Sequence, residues 1–209
     1  DIANATLIYK HGDYYLAITT YQTVDAHSSP SRRQVGIDFG LKNQLTLSDG
    51  IAVQYALPIS KKLRKLHKKL SRQQLHGKNW NTTKLQPEKQ YAHWTNIKKD
   101  ISNKLVHYLA DMYGVICFQD ENLKGWQRLW GRKLLSTALG GLIGTLKRKV
   151  HTPIEVDRWF PSTQTCSVCG NVQEVGLDER VFICQRCGNV MDRDHNSSRT
   201  LLNEGLRRV

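Results

Sequence analysis

Four of the five cysteines constrain this chain more than any other feature, because they fall into two closely spaced pairs. The pairs are Cys166-x2-Cys169 and Cys184-x2-Cys187, with fourteen residues between them. This spacing is typical of a tetrahedral metal site rather than of a disulfide framework, and four thiolates favour Zn²⁺. Four unliganded core thiols, or a cysteine-bound iron, are the alternatives. Four cysteines leave no coordination position open for a substrate, so the predicted role of the site is structural.

The residues next to the cysteines support this prediction. Gly170 and Gly188 each follow the second cysteine of a pair, where a backbone without Cβ can turn its amides toward sulfur. The fifth cysteine, Cys117, lies in an apolar run. We therefore expect it to be a small buried side chain and not a ligand.

The charge balance indicates an anionic partner. The 209 residues carry 31 Lys and Arg against 18 Asp and Glu, a formal net charge of +13. Basic side chains that neutralise phosphates release counterions, so nucleic acid is the expected partner. No run is apolar enough for a membrane span or a secretory leader, which predicts a cytoplasmic protein, associated with the nucleoid when bound to DNA, that binds no membrane. Because the sequence opens at Asp1 and not at Met, we expect a preceding stretch.

Hydrophobic periodicity predicts a mixed α/β layout. Alternating or short apolar runs predict strands at residues 6–9, 14–19, 35–38, 45–47, 51–53, 115–119 and 154–157. Apolar side chains three or four residues apart predict helices at residues 60–72, 94–112 and 135–146, and from about 195 to 207. A polar stretch with Gly77 and Pro87 separates the first two helices, which form a predicted hairpin over residues 60–112. This order is compatible with a ribonuclease H-like fold.

Acidic residues stand where predicted strands end and the last helix begins. These residues are Asp38, Asp120, Glu121 and Asp194. If the strands are neighbours and the helix packs across them, the carboxylates converge and need divalent cations such as Mg²⁺ or Mn²⁺ between them. Two ions about 4 Å apart can activate a water and stabilise the leaving oxygen of a phosphodiester. Taken singly, each acid has a plainer interpretation, a helix N-cap for Asp194 or a solvated turn for Asp38 and Asp120.

Four ordered segments resemble a known family. The segments are VGIDFGLKN at residues 35–43, QDENLKGW at 119–126, DRWFPSTQTC at 157–166 and DRDHNSS at 192–198. They look like the RuvC nuclease and zinc-ribbon half of TnpB, a family of transposon-encoded, RNA-guided DNA endonucleases related to the type V CRISPR effectors. The resemblance covers about residues 1–206.

The resemblance implies an α/β, ribonuclease H-like (RuvC) fold with an inserted four-cysteine zinc ribbon. A β-hairpin remnant of an oligonucleotide-binding wedge domain precedes it. The implied domains are the wedge at 1–30, RuvC at 34–163 with the helical hairpin 60–112, the zinc ribbon at 164–190 and the last RuvC segment at 191–209. Ser197 and Ser198 replace a commoner Ala-Ala pair, which we expect to be harmless.

By position, the resemblance makes Asp38 the first RuvC acid, Asp194 the third and the four paired cysteines the zinc ligands. The second acid departs from the family, because many relatives carry Glu where this chain has Gln119. Glu121 lies two residues further along an extended strand and points to the same face, so we predict that it supplies the missing carboxylate. With Mg²⁺ or Mn²⁺ bound, the three acids would form the active site of a metal-dependent endonuclease.

One predicted helix is strongly basic. Its Lys and Arg side chains, seven in twelve positions, are Lys61, Lys62, Arg64, Lys65, Lys68, Lys69 and Arg72. A solvated charged face is the alternative to phosphate binding, whereas the resemblance would place the helix against a heteroduplex of guide RNA and target DNA. Trp126, Arg128 and Trp130 offer a stacking surface for single-stranded DNA, unless the tryptophans pack in the core or a lid.

We therefore predict an RNA-guided DNA endonuclease of the TnpB type that cleaves phosphodiesters by a two-metal mechanism. The alternative is a nuclease-inactive, RNA-guided DNA-binding protein, because Gln119 carries no charge. A third hypothesis is an actin-like ATPase, since residues 36–40 resemble the first phosphate loop of that fold. The second Asp-x-Gly loop and the glycine-rich adenosine segment of such ATPases are not visible in this sequence.

Overall fold

The computed structural model describes residues 2–21, 31–55, 57–176 and 178–207. The chain divides into two compact units. We call Asp1–Ser29 with Ile59–Ile97 the hairpin unit, and Pro30–Pro58 with Lys98–Val209 the sheet unit. The predicted cleft residues and all five cysteines belong to the sheet unit.

The hairpin unit contains two antiparallel strands, β1 (Ile2–Lys10) and β2 (Asp13–Thr20). The turn between them uses the left-handed backbone at His11 (φ 56°) and Gly12 (φ 84°), and the pairing confirms the strands predicted at residues 6–9 and 14–19. Tyr9 and Tyr14 face each other across the turn with ring centroids 4.8 Å apart. All side chains of both strands are exposed.

The hairpin unit also contains one helix and the part of a second helix up to Ile97, and the bounds of the first helix agree with the prediction to within one residue. Helix α1 (Lys61–Ser71) begins at Ser60, whose Oγ accepts a hydrogen bond from the Leu63 amide at 3.1 Å. Helix α2 (Lys78–Met112) begins well before the predicted start near residue 94. The polar residues between 78 and 93 include good helix formers, and Pro87 removes a single backbone donor from the helix. The prediction of a non-helical stretch there is wrong.

The sheet unit is built on five strands. They are β3 (Gln34–Phe39), β4 (Leu45–Leu47), β5 (Ala52–Val53), β6 (Val115–Gln119) and β7 (Thr152–Val156). Their order across the sheet is β5-β4-β3-β6-β7, with antiparallel pairing from β5 to β3 and parallel pairing from β3 to β7. All five strands were predicted, because short apolar runs between turns mark strands that are covered on both faces.

Helices cover both faces of this sheet. The core on one face joins Val35, Ile37 and Phe39 of β3 to the end of α2 and to α4 (Leu139–Lys149). On the other face lies α5 (Arg193–Leu206), which packs on β3 and β6. Since side chains alternate along a strand, Gly36 and Asp38 face α5.

A predicted helix through residues 135–146 is instead two helices. Helix α3 (Leu123–Thr137) ends at Ala138, whose backbone is left-handed (φ 53°), and α4 starts directly after it. The carbonyl of Leu135 accepts from Lys98 Nζ (2.8 Å), and that of Ser136 accepts from the Leu57 amide (3.0 Å). Because these carbonyls bond outside the helix, the chain can turn there without losing hydrogen bonds.

The last part of the sheet unit is a small cysteine-bearing segment that ends in a hairpin. Its strands are β8 (Val181–Ile183) and β9 (Val190–Asp192), and α5 follows β9 directly. Phe182 lies fully buried between the cysteines. Over residues 2–21, 31–55, 57–176 and 178–207, each helix is either too short or too polar to serve as a membrane span.

Replacing Gly36 with alanine is expected to destabilise the sheet unit severely. A Cβ at Gly36 would lie 1.9 Å from the Ser198 carbonyl oxygen and 2.8 Å from the Leu202 amide, so α5 would have to leave β3. We expect a loss of at least about 3 kcal/mol in the free energy of unfolding, measured by urea titration. The matched control is Gly141→Ala on α4, where a Cβ meets nothing within 4 Å and should stabilise the helix slightly. Equal stability of the two variants would contradict this packing.

Candidate active site and metal centre

Asp38 is the second-to-last residue of strand β3, just before the chain leaves the sheet. Its neighbours Ile37 and Phe39 are buried in the core, which directs the Asp38 carboxylate to the α5 side. There its Oδ1 accepts a hydrogen bond from Ser197 Oγ at 2.9 Å. The sheet and α5 together therefore fix the position of this carboxylate.

Two adjacent acids, Asp120 and Glu121, follow the end of β6 and have different surroundings. Asp120 continues the pairing with β7 through its amide, which donates to the Val156 carbonyl at 3.0 Å, and its carboxylate is ion-paired with Arg158. Glu121 turns instead into a cleft of about 710 Å³. The structure thus gives the two acids different surroundings.

Asp194 enters the same cleft from α5. It lies in the first turn of the helix, where Asp192 and not Asp194 is the N-cap, because Asp192 Oδ1 accepts from the His195 amide at 3.0 Å. Arg193 Nε lies 3.7 Å from Asp194 Oδ1. All three predicted acids therefore line one cleft, although they come from distant parts of the chain.

Basic and aromatic side chains line the rest of this cleft. The basic ones are Lys42, Lys133, Arg158, Arg180 and Arg193, and the aromatic ones are Phe39, Trp126, Trp130 and Phe160. Phosphate groups are attracted to such cations, and bases can stack on exposed rings. The cleft therefore combines the carboxylates with a surface that suits a nucleic-acid strand.

Burial and neighbouring negative charge raise the pKa values of two of the cleft acids. Burial raises the pKa of Asp38 well above its ordinary value, the negative charges of Asp194 and Glu121 add to this, and the Ser197 hydrogen bond opposes it. Burial, together with the charge of Asp120, raises the pKa of Glu121 to about 7. Bound divalent cations would relieve this repulsion and keep the acids ionised.

Gln119 has a different task from Glu121. Its side-chain amide nitrogen donates to the carbonyls of Asp157 (2.9 Å) and Phe160 (2.7 Å), with the Arg158 carbonyl at 3.2 Å. Its Oε1 accepts from Ser162 Oγ at 2.8 Å. The side chain is thus used to hold the loop after β7, which supplies one wall of the cleft.

We expect Gln119→Glu to destabilise the protein and not to improve cleavage. The new carboxylate would face carbonyl oxygens in place of the donors it needs, at a buried position. Such an unsatisfied contact costs about 2–4 kcal/mol. Urea unfolding at pH 8 measures the loss, and the change Asp120→Asn at the half-buried neighbouring residue serves as the control. A stable Gln119→Glu variant with faster cleavage would show that this position, and not 121, supplies the second acid.

The residues predicted to bind nucleic acid lie in both units of the chain. All seven basic residues from Lys61 to Arg72 are exposed on α1 or at its C-cap in the hairpin unit. Trp126 and Trp130 line the cleft of the sheet unit, with Trp126 packed partly against the core and Trp130 exposed. Arg128 is exposed on α3 but is not among the cleft residues.

The four paired cysteines form a compact cluster. Their sulfur atoms all lie within 4.8 Å of one another, with 3.7 Å between Cys166 and Cys187 and 3.6 Å between Cys169 and Cys184. A tetrahedral ion with metal–sulfur bonds of about 2.3 Å has sulfur separations of about 3.8 Å. Elsewhere in the described parts of the chain, His, Cys, Asp and Glu form no second group of this kind.

The two halves of the cluster have the same backbone. Gly170 (φ 72°) and Gly188 (φ 71°) are both left-handed, and their amides donate to the carbonyls of Cys166 and Cys184. The Cys187 amide donates to Cys184 Sγ at 3.5 Å and lowers the pKa of that thiol to about 6. This amide favours a thiolate at Cys184. Cys117 is fully buried and does not belong to the cluster, and burial raises its pKa to about 11, as expected of a packing residue.

The cysteine cluster is tied to the helix that carries Asp194. Asn196 Oδ1 accepts from the Ser167 amide at 3.0 Å, and its Nδ2 donates to the Thr165 carbonyl at 2.7 Å. The Arg193 amide donates to the Arg180 carbonyl at 2.8 Å. The start of α5 is therefore held by the segment that the cysteines organise.

Sequence reasoning missed several residues of this site. The sequence did not mark Arg193 or Arg180 as cleft residues, and it gave no sign that Ser197 contacts Asp38. The spacing of Ser197 indicated only that it shares a helix face with Asp194, because residues three apart lie on one face. Asn196 had no signal in the sequence, since its partners at 165 and 167 are known only from the fold.

Two family profiles match the chain. The family described as "Probable transposase" matches residues 17–125, slightly more than half of the sequence. The profile described as "Cas12f1-like, TNB domain" matches residues 145–201, which include the four clustered cysteines.

Curated relatives match at low identity over most of the chain. "Putative RNA-guided DNA endonuclease InsQ" of Escherichia coli (strain K12) is 24% identical over 240 residues, covering 98% of this chain and 57% of the relative. "Putative RNA-guided DNA endonuclease" of Streptomyces pristinaespiralis is 28% identical over 207 residues, covering 94% and 51%. "TnpB-like protein L79" of Acanthamoeba polyphaga mimivirus is 26% identical over 207 residues, covering 84% and 38%. The chain thus spans roughly half the length of these relatives, or less.

A solved structure shares the fold. The chain superposes on the cryo-EM structure of a CRISPR-Cas12f ternary complex with a TM-score of 0.55 and 20% sequence identity. The match covers 91% of this chain and 42% of the other. The mixed α/β architecture is therefore shared with a protein of known structure.

Proposed function

Because this chain belongs to the TnpB-like transposase family, as its segments predicted, we propose that it is the nuclease portion of an RNA-guided DNA endonuclease. The observation that supports this most is the placement of Asp38, Glu121 and Asp194 around one cleft lined by basic side chains. A carboxylate set of this kind suits hard divalent cations, and the basic side chains suit phosphates. Relatives named as endonucleases also favour cleavage over the nuclease-inactive alternative.

The finer fold assignment is part of this proposal. Sheet order β5-β4-β3-β6-β7, with an antiparallel half and a parallel half, supports a ribonuclease H-like (RuvC) domain. We extend the proposal to the domain division into a wedge at 1–30, RuvC at 34–163 and 191–209, and a ribbon at 164–190. The β1–β2 hairpin would then be a remnant of the wedge domain.

We assign Zn²⁺ to the cysteine cluster and Mg²⁺ or Mn²⁺ to the cleft. Sulfur separations of 3.6 and 3.7 Å fit tetrahedral zinc. Asp38, Glu121 and Asp194 would hold the catalytic ions, which when bound supply an activated water and stabilise the leaving oxygen of the phosphodiester. The zinc cluster would act on the reaction only by holding the start of α5.

The chain's own residues then perform the remaining tasks. Arg158, Arg180 and Lys133 would bind phosphates along the cleft, and the exposed ring of Trp130 would stack on a base. Gln119 keeps the loop after β7 in place, so that Arg158 stays beside the acids. Guide RNA and target DNA are the proposed partners, with the exposed basic face of α1 contacting their phosphates, and the proposed location is the cytoplasm and nucleoid.

The test is cleavage of single-stranded DNA in Mg²⁺ by the protein purified with the RNA that it carries. We expect cleavage by the native protein, and loss of cleavage but not of DNA binding in Asp38→Asn and Asp194→Asn. Asp100→Asn, at an exposed residue of α2 whose carboxylate is ion-paired with Lys104, is the control and should cleave normally. DNA binding without cleavage by the native protein would instead identify a nuclease-inactive binding protein.

A further inference from the structure

We propose that Ser197 is a positioning residue, which holds the Asp38 carboxylate in the orientation that binds a divalent cation; this inference rests on the proposed function. Ser197 is fully buried, and its Oγ donates to Asp38 Oδ1 at 2.9 Å. The two residues are 159 positions apart in the sequence, so the contact exists only because α5 packs on β3. The hydrogen bond to Oδ1 fixes the rotation of the carboxylate, and with it the direction in which its remaining lone pairs can meet a cation.

The direction of the Ser197 hydrogen bond is unusual for a serine inside a helix. Such hydroxyls commonly bond back to a carbonyl of their own helix. Ser198 does so, with its Oγ donating to the His195 carbonyl at 2.8 Å, and Thr200 does so toward the Asn196 carbonyl at 2.9 Å. Ser197 instead directs its proton across to the neighbouring strand.

One face of α5 therefore contributes two side chains to the candidate site. Asp194 and Ser197 are three residues apart and share that face. The helix therefore supplies both the Asp194 carboxylate and the hydroxyl that donates to Asp38. The spacing is rigid, because Gly36 allows the Ser198 carbonyl to approach β3 so closely that a Cβ would be 1.9 Å away. The Ser197 hydroxyl and the Asp38 carboxylate therefore stay within hydrogen-bonding distance as long as α5 remains packed on β3.

Asp38 needs this donor because of the charges around it. The carboxylates of Asp194 and Glu121 repel it, and the nearby guanidinium of Arg193 attracts it. Without the Ser197 hydroxyl, the carboxylate would rotate away from the other acids. Hydrogen bonds to metal-ligating carboxylates typically contribute 10- to 100-fold to metal affinity.

The test compares Ser197→Ala with Ser198→Ala in the zinc-loaded protein. Both variants remove one hydroxyl from a fully buried serine of the same helix, but only the first removes a bond to Asp38. Electron paramagnetic resonance titration with Mn²⁺ gives the affinity, and DNA cleavage at increasing Mn²⁺ gives the half-saturating concentration. We expect Ser197→Ala to weaken both about 10- to 100-fold, with a smaller change in the rate at saturating Mn²⁺, and Ser198→Ala to stay within about twofold of the native protein.

The outcomes separate this inference from the proposed function. Equal Mn²⁺ affinities in Ser197→Ala and Ser198→Ala would overturn the positioning role, whatever the cleavage activity. A native protein that cleaves no DNA would overturn the proposed function, while the Mn²⁺ titration would still decide the role of Ser197. Native Mn²⁺ binding that is unchanged in Asp38→Asn would contradict both.

Discussion

Replacing Glu121 with glutamine is expected to lower the rate of DNA cleavage at least about a hundredfold, with DNA binding retained. The side chain keeps its size but loses the charge that would neutralise a divalent cation in the cleft. A hundredfold loss corresponds to about 3 kcal/mol of transition-state stabilisation, which is within the range that metal ions supply in phosphodiester hydrolysis. Single-turnover cleavage in saturating Mg²⁺ measures the loss.

Asp120→Asn is the matched control for Glu121→Gln. The two acids are adjacent, but the carboxylate of Asp120 is ion-paired with Arg158 outside the metal-binding group. We expect its cleavage rate to stay within about threefold of the native rate, since exposed ion pairs contribute little. If Asp120→Asn were the inactive variant and Glu121→Gln the active one, the assignment of the second acid would be wrong.

The same Glu121→Gln change should stabilise the protein when no Mg²⁺ is present. Burial raises the pKa of Glu121 to about 7 in the folded state, above its value in the unfolded chain. The folded protein therefore binds the extra proton, and stability falls as the pH rises from about 4.5 through 7. Glutamine removes this loss, so we expect a gain on the order of 2 kcal/mol at pH 8 and little at pH 4. Thermal unfolding at both pH values would also show that inactivity does not come from misfolding.

Replacing Cys184 with serine is expected to abolish zinc binding and to lower DNA cleavage with it. The variant removes one of four clustered sulfurs and should reduce the zinc content from about one per chain toward zero. Since Asn196 ties the start of α5 to residues 165 and 167, disorder of the cysteine segment would release the helix that carries Asp194. Atomic absorption gives the zinc content, and amide hydrogen exchange over α5 gives the coupling.

Cys117→Ala is the matched control for the cysteine prediction. It removes the fifth sulfur, which is buried against Gly205 and has no part in the cluster. We expect normal zinc content and a loss of about 1 kcal/mol in stability from the small cavity. Zinc that is retained in Cys184→Ser, or lost in Cys117→Ala, would contradict the four-cysteine assignment.

The sequence predicted this fold best where a single local rule decides the structure. The bounds of β6 follow from one apolar run, and the two cysteine pairs follow from spacing alone. Prediction failed where partners distant in sequence decide. Lys98 and Leu57 take the carbonyls that would continue α3, and no local pattern could indicate that Ala138 breaks the helix.

In the candidate site, too, local sequence patterns predict some features, and partners distant in sequence decide the others. That the three acids meet in one cleft was predictable, because Asp38, Glu121 and Asp194 lie at or near the ends of elements that hydrophobic periodicity marks. Gln119 was noticed only as a missing charge, whereas its four hydrogen bonds to the loop after β7 depend on the pairing of β6 with β7. The partner of Ser197 likewise depends on how α5 lies on β3.

The central claim is that Asp38, Glu121 and Asp194 hold divalent cations between them. The most direct measurement is anomalous diffraction at the manganese absorption edge from crystals of the zinc-loaded protein soaked in Mn²⁺. We predict manganese peaks in the cleft within about 2.0–2.3 Å of carboxylate oxygens from all three residues. Manganese bound elsewhere, or a cleft in which Glu121 turns away from the ions, would contradict the claim.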